Sequence, residues 1–309
     1  MTCWLVTGGA GFIGSHLVES LVRAGHTVRI LDNFSSGHRE HLAAVQQKVD
    51  IIEGDIRDAA LVTRSLQGVD VVAHLAAIAS VQLSLQQPLM VWDVNVNGTL
   101  TLLEQARQAN VRRFVFASSA SIYGDQQALP LSENLPPRPL SPYAASKLAG
   151  EGLCQAYAYA YQLETVALRA FNVYGPRQDP GSPYSGVITI FLEHIQRGVP
   201  PTIYGDGAQT RDFVHVRDVA QAYVAASQSA GGSGAVYNIG TGRETSLNAL
   251  LALFCDCAQV QLVPTYAAAK PGDIRRSVCN PTQARTALSW QTQVGLREGL
   301  LSLLRPEGN

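Results

Sequence analysis

Tyr143 and Lys147 stand four residues apart in Tyr-Ala-Ala-Ser-Lys. On a helix that spacing stacks two side chains on one face, which puts an ammonium beside a phenol and favours the ionised form of the phenol. The chemistry on offer is proton abstraction. A free phenol has a pKa near 10, so a base working near neutrality needs a drop of about three to four units, roughly 4–5 kcal/mol of differential stabilisation. Lys147 and a positive group bound alongside can share that task. The same spacing also suits an ordinary surface pair, but the chain holds only three lysines, Lys48, Lys147 and Lys270, against eleven tyrosines. Upstream, Ser118-Ser119-Ala120-Ser121 follows the strand-like run Phe114–Ala117. Hydroxyls at the C-terminal end of a strand can relay a proton, or can simply make a turn.

A second constellation points to a dinucleotide. Thr7-Gly8-Gly9-Ala10-Gly11-Phe12-Ile13-Gly14 lies between an apolar run and the start of a helical pattern. Absent side chains at Gly8, Gly11 and Gly14 let a pyrophosphate approach the backbone at a helix N-terminus, where free N–H groups and the helix dipole bind it. Asp32, eighteen residues past Gly14 at the end of the next strand, can accept both hydroxyls of the adenosine ribose and would repel a 2′-phosphate, which favours NAD over NADP. Arg39 leaves NADP open, and a plain turn role for Asp32 beside Asn33 is the simpler alternative. Asp55-Ile56 and Leu75-Ala76-Ala77, after the third and fourth strands, either bracket the adenine or are ordinary strand-end packing.

The elements that must position these groups follow from periodicity. Ile13, Leu17 and Leu21 recur at helical steps between the apolar runs Cys3–Val6 and Val28–Leu31, giving a βαβ unit whose parallel strands need a crossover helix. Strand-like runs at Val49–Ile52, Val69–Ala73, Phe114–Ala117 and Thr165–Leu168 alternate with helix-length segments such as Leu100–Ala109 and Lys147–Tyr161. This predicts an α/β fold with a doubly wound parallel sheet. From about Phe171 the texture turns to Pro- and Gly-rich loops, which predicts a smaller C-terminal lobe. The division expected is 1–172 for dinucleotide binding and 173–309 for substrate, with segments near 211–242 returning to the first core.

Composition excludes several classes. The 309 residues are 46% hydrophobic and 15% charged, with 23 basic against 24 acidic residues and a net charge of −1, so disorder and a nucleic-acid-binding field are both disfavoured. No apolar run is long enough for a membrane span, and a strand-like segment near Met1 leaves no space for a signal peptide. Five cysteines without CxxC spacing and seven scattered histidines suggest neither a disulfide scaffold nor a metal site, and fit a cytoplasmic setting.

Together, the glycine loop, the strand-end serines, Tyr143 with Lys147, and Arg169-Ala-Phe-Asn172-Val-Tyr-Gly-Pro-Arg177 resemble the extended short-chain dehydrogenase/reductases that act on nucleotide sugars. The resemblance covers essentially the whole chain and implies a Rossmann fold. Dehydratases and decarboxylases of this group carry a Glu two residues after the catalytic hydroxyl, usually preceded by Asp in dehydratases. Here those positions are Ala120 and Ser121, so the loop resembles that of the UDP-hexose 4-epimerases. That implies Ser119, Tyr143 and Lys147 as catalytic residues, with Ser118 and Ser121 the nearest substitutes for Ser119. It implies NAD held by Gly8, Gly11, Phe12, Ile13, Gly14, Asp32, Asn33, Asp55, Ile56, Leu75, Ala76, Ala77 and Asn95, besides Tyr143 and Lys147. For the UDP-sugar it implies Ser119, Ser121, Asn172, Arg211, Lys270, Asp273 and Ser277, with Asp212 and Asp218 structural. Lys270 stands where the family usually has a phosphate-binding arginine. A small residue at position 277 accompanies acceptance of N-acetyl sugars, and Gln178–Ile188 resembles epimerases that prefer UDP-GlcNAc and UDP-GalNAc. The reaction implied is 4-epimerisation through a transient 4-keto sugar, of UDP-GlcNAc/UDP-GalNAc in the first place and of UDP-glucose/UDP-galactose in the second. A UDP-glucuronate 4-epimerase would need a further cation such as Arg177 or Arg275, and a non-catalytic NAD-sensing protein is the reading from another class. A homodimer is implied by resemblance only.

Overall fold

The computed structural model describes residues 1–179, 186–229, 232–269 and 272–304. Lys270, Pro271 and the Pro180–Ser185 part of the 178–188 run lie outside the described residues.

Strands β1 (Cys3–Thr7), β2 (Thr27–Asp32), β3 (Val49–Glu53), β4 (Val71–His74), β5 (Arg113–Ser119) and β6 (Glu164–Ala170) join Ala235–Ile239 in one sheet. Its order is Ala235–Ile239, β6, β5, β4, β1, β2, β3, and every neighbouring pair is parallel. The chain runs outward from β1 to β3, then restarts at β4 on the other side of β1. Strand direction thus reverses its progress between β1 and β4, the place where such sheets bind ligands at their C-terminal ends. Strands covered by helices on both faces read as continuous apolar runs, and β4 is buried along its whole length.

Helix α1 (Phe12–Arg23) buries Leu17, Val18 and Leu21 against one face of the sheet, each worth about 1.5–3 kcal/mol of transfer free energy. Gly25, at φ +80°, ends it and turns the chain into β2. The helix Val216–Gln228 lies on the same face, and Val219, Ala220, Tyr223 and Ala226 belong to the same core. The opposite face is covered by Ala59–Ser65, Gly98–Gln108 and Pro142–Tyr161. A third core forms the smaller lobe around Phe191, Phe254 and Leu300, on the helices Val187–Arg197, Leu247–Ala258 and Leu296–Leu304.

Two boundaries differ from the periodicity reading in ways that matter for the site. The helix expected over Lys147–Tyr161 starts at Pro142, because Ser141 accepts the Ala144 N–H at 3.1 Å as its cap, with proline tolerated in the first turn. Tyr143 is therefore helical. The helix expected over Leu100–Ala109 runs from Gly98 to Gln108 and is entered through a wide turn, Asp93–Asn97, that carries Asn95.

Candidate active site

The glycine loop leaves β1 and enters α1. Gly8 has φ +70°, and a Cβ there would lie 2.7 Å from the Ala76 nitrogen. One on Gly14 would collide with the Gly8 carbonyl. Only glycine permits this folding of the loop. Gly11 caps α1 without a side-chain hydrogen bond, and the first turn holds no acid, so nothing from the chain competes for an anion at that end. Phe12 and Ile13 form the first turn itself, half-buried. This cradle fits a dinucleotide.

Asp32 is 7% exposed and holds the loop together: Oδ2 accepts the Ala10 N–H and Oδ1 accepts the Phe34 N–H, both at 2.9 Å. Each oxygen keeps a lone pair for a ribose hydroxyl. Arg39 lies over the Phe34 ring and pairs with Glu53, so a carboxylate already occupies it. Exposed Asn33 donates to Asp55 Oδ2 at 3.4 Å. Arg57 takes both oxygens of Asp55 and reaches Asp93 at 2.6 Å, and its hydrogen bond is the main cause that holds the Asp55 carboxyl below its usual range. The Ile56 side chain is 4% exposed and packs under Gly98. Leu75, Ala76 and Ala77 follow β4 beside the glycine loop, with the Ala76 N–H donating to Thr7 Oγ1 at 3.3 Å. Asn95 faces the same region but is fully engaged: Oδ1 accepts from Ile78 N–H, and Nδ2 donates to Ile78 O and Ser146 Oγ. A cofactor would meet Asn95 only through the second lone pair of Oδ1.

At the C-terminal end of β5, Ser119 hydrogen-bonds Tyr143 and accepts the Ser121 N–H at 3.2 Å. The Ser121 hydroxyl is buried and finds no partner among the described residues. Ser118 turns the other way and donates to Glu151. Glu151 forms a bidentate pair with Arg169 at 2.8–2.9 Å, and Arg169 donates to Tyr123 Oη at 2.8 Å. That buried network fixes β5 against the helix and β6. It also removes Ser118 as a substitute for Ser119.

Lys147 is 5% exposed, with Nζ 5.9 Å from the centre of the Tyr143 ring and 5.3 Å from that of Phe116. Burial pushes its ammonium down to about 8. Burial also pushes the Tyr143 phenol up, and the Ser119 hydrogen bond only partly opposes it. In the cofactor-free chain desolvation favours the neutral form of each group, which opposes the drop that proton abstraction needs. Positive charge brought by a bound cofactor would add to the Ser119 hydrogen bond and the Lys147 ammonium in lowering the phenol.

On the second lobe, Asn172 is exposed at the start of the short strand Asn172–Tyr174 and its N–H donates to Asp212 O at 3.1 Å. Arg211 donates to Thr210 O and Ile274 O, and pairs with Asp273 at 2.6 Å. Thr210 lies beside Arg276, with the Ser277 N–H donating to Thr210 O at 3.3 Å. Asn172, Arg211, Asp273 and Ser277 therefore sit on three adjacent segments. Asp212 is fully buried and accepts from Thr241, Gly242 and Cys279, and Asp218 receives Gln293 and Val294 N–H. Both are structural. Arg177 pairs with Glu19 and Arg275 with Asp206. Among the described residues no cluster of His, Cys, Asp or Glu could hold a metal, and no helix is long and apolar enough to cross a membrane.

Residues 4–240 match the model of the NAD dependent epimerase/dehydratase family. The chain is 44% identical over 300 residues to a UDP-glucose 4-epimerase of Mycolicibacterium smegmatis, covering 96% of this chain and 95% of that protein. The crystal structure of a UDP-glucose 4-epimerase from Thermotoga maritima, with UDP-glucose, superposes with a TM-score of 0.93 at 39% identity, covering 98% of this chain and 97% of that one. A UDP-N-acetylglucosamine 4-epimerase from Methanobrevibacter ruminantium, in complex with UDP-N-acetylmuramic acid, gives 0.93 at 36% identity, covering 98% of each chain.

Proposed function

The chain belongs to the NAD-dependent epimerase/dehydratase family, and on that premise we propose that it inverts carbon four of a UDP-hexose. The observation that carries this reading is Tyr143 hydrogen-bonded to Ser119 beside buried Lys147, with Ala120 and Ser121 where a dehydratase or decarboxylase needs its acid. Without a carboxylate at those two positions, the loop lacks the acid that would eliminate water from the sugar.

NAD bound there would supply a hydride acceptor for carbon four that also serves as the donor on the way back. The chain's residues do the rest. Gly8, Gly11 and Gly14 admit the pyrophosphate to the start of α1, and Asp32 receives the adenosine ribose. Tyr143 Oη takes the proton of the 4-hydroxyl and later returns it, while Ser119 Oγ holds or relays that proton. Lys147 keeps positive charge near the phenol. For the product to be the epimer, the 4-keto sugar must present its other face before it is re-reduced, so the nucleotide must be held and the hexose left free. Arg211 and Asn172 hold the diphosphate, Arg211 as a guanidinium fork already oriented by two carbonyls, and Asp273 receives the uridine ribose.

For the sugar, we propose that the protein interconverts UDP-glucose with UDP-galactose, as the name of its Mycolicibacterium relative supports, and also accepts the N-acetyl pair because Ser277 is small. UDP-glucuronate is the third candidate, for which Arg177 or Arg275 would have to leave its acid partner to meet the sugar carboxylate. A homodimer is proposed from exposed apolar side chains on two helices that pack together: Leu89 on Pro88–Trp92 is 85% exposed and Tyr159 on the catalytic helix 88%, and a second copy would cover them. The test of function is incubation of purified protein, without added cofactor, with UDP-glucose, UDP-GlcNAc and UDP-glucuronate, with the products resolved. Conversion of the first two and not the third is expected. Conversion of UDP-glucuronate alone would overturn the substrate assignment, and conversion of none the whole reading.

A further inference from the structure

His74 ends β4, 1% exposed, and has no part in the proton transfer described above. Its ring packs against Phe114 and Phe116, and Phe116 in turn lies under Lys147. Register explains its partners. Thr7 and His74 are opposite each other on β1 and β4, and Nδ1 lies 2.8 Å from Thr7 Oγ1 while Nε2 lies 2.9 Å from Thr99 Oγ1.

The placement of each proton follows from which groups can only donate or only accept. Thr99 Oγ1 is 2.6 Å from the Asn95 carbonyl. A carbonyl only accepts, so the Thr99 proton goes there and Thr99 must accept from His74 Nε2–H. Nδ1 is then bare, so Thr7 donates to it, and Thr7 Oγ1 in turn accepts the Ala76 N–H. Past Asn95 the same logic holds. Its side chain donates to Ser146 Oγ at 3.0 Å, and Ser146 donates to the carbonyl of Tyr143 at 2.7 Å. One hydrogen-bonded chain with a single direction on either side of Asn95 thus runs from the loop flanking Gly8, through the imidazole, to the first turn of the catalytic helix. A protonated imidazole would make Thr7 Oγ1 accept from both Nδ1–H and the Ala76 N–H and turn its own proton away from the ring, losing the donation that completes the chain. Burial, assisted by Lys147, holds the ring neutral, with its pKa pushed down to about 3.

We propose that His74, locked as the Nε2–H tautomer, is a positioning residue that couples the glycine loop to the catalytic helix and so fixes the spacing between the bound dinucleotide and Tyr143. This rests on the epimerase reading for its effect on turnover, but not for the coupling itself. The test has two parts. In 15N-histidine-labelled holoprotein, a signal absent from His74→Gln should show the neutral Nε2–H form unchanged from about pH 8 to about pH 5, where an ordinary histidine titrates. In Thr99→Val, which removes the acceptor, kcat should fall about ten-fold or more, the scale of a slight misplacement of reacting groups. KM for UDP-sugar should stay within about two-fold, NAD should be retained less tightly on ultrafiltration, and Thr99→Ser should restore all three. Protonation of His74 within that window, an Nδ1–H tautomer, or a Thr99→Val protein that melts earlier yet keeps kcat and NAD would overturn the proposal. If the wild type turns over no UDP-sugar, the epimerase reading fails, while the tautomer and NAD retention still decide the coupling.

Discussion

Replacing Lys147 by Met should destroy turnover and stabilise the NAD-free fold. The ammonium is 5% exposed and forms no ion pair among the described residues, and burial moves it from 10.5 to about 8. At about 1.4 kcal/mol per unit, the folded chain bears a penalty of about 3 kcal/mol for keeping that charge. The sign follows from proton binding. Between about pH 8 and pH 10.5 the unfolded chain holds the proton and the folded chain releases it, so wild-type stability rises with pH across that window. Below about pH 8 the penalty is complete. Lys147→Met, similar in length and without charge, should therefore exceed wild type by up to about 3 kcal/mol at pH 7 in urea denaturation of NAD-free protein. The gap should shrink by about pH 10. Any contribution from Tyr143 ionisation is common to both proteins. Epimerase activity should drop at least 100-fold, in the range by which proton-transfer groups contribute. A variant no more stable than wild type at pH 7, or a gap that does not change with pH, would refute the claim that function here maintains an unfavourable buried cation.

Ser119→Ala removes the hydrogen bond that lowers the Tyr143 phenol; a bond to a charged group is worth about 1.5–3 kcal/mol. The acid limb of the pH–rate profile should move to higher pH by about one to two units, with Ser119→Thr restoring it. Arg211→Ala should raise KM for UDP-sugars about 10- to 100-fold with a smaller change in kcat, and Arg211→Lys should recover only part, because a point charge cannot replace the fork. Leu89→Glu combined with Tyr159→Glu should shift sedimentation of the protein from dimer to monomer, with the circular dichroism spectrum unchanged.

The legible parts of this molecule were those whose partners lie close in sequence. The glycine loop followed by helical spacing led to α1, and the four-residue step placed Tyr143 and Lys147 on one face. Six of the seven strands of the parallel sheet likewise emerged from apolar runs broken by helix-length segments, whereas Ala235–Ile239 was anticipated only as part of the 211–242 segment returning to the first core. What stayed hidden depends on register between distant strands. Thr7 and His74 are 67 residues apart and meet only because β4 lies beside β1. Ser118 and Ser119 look equivalent in the sequence, yet alternation along β5 sends one to Glu151 and leaves the other at Tyr143. One signal was available: Glu151 continues the Tyr143, Lys147 stripe by another four residues, on the same helix face. Desolvation, which spacing along a helix does not reveal, raises the Tyr143 phenol and lowers the Lys147 ammonium. The packing of Ile56 under Gly98 was equally out of reach, since it too joins elements distant in sequence.

The most direct test of the account follows the hydrogen at carbon four. UDP-glucose deuterated at that carbon, incubated with the purified protein in the presence of a large excess of unlabelled NADH, should yield UDP-galactose that retains the deuterium at carbon four, because the hydride is returned by the dinucleotide that took it. Deuterium lost from the product and recovered in the free dinucleotide pool would contradict it.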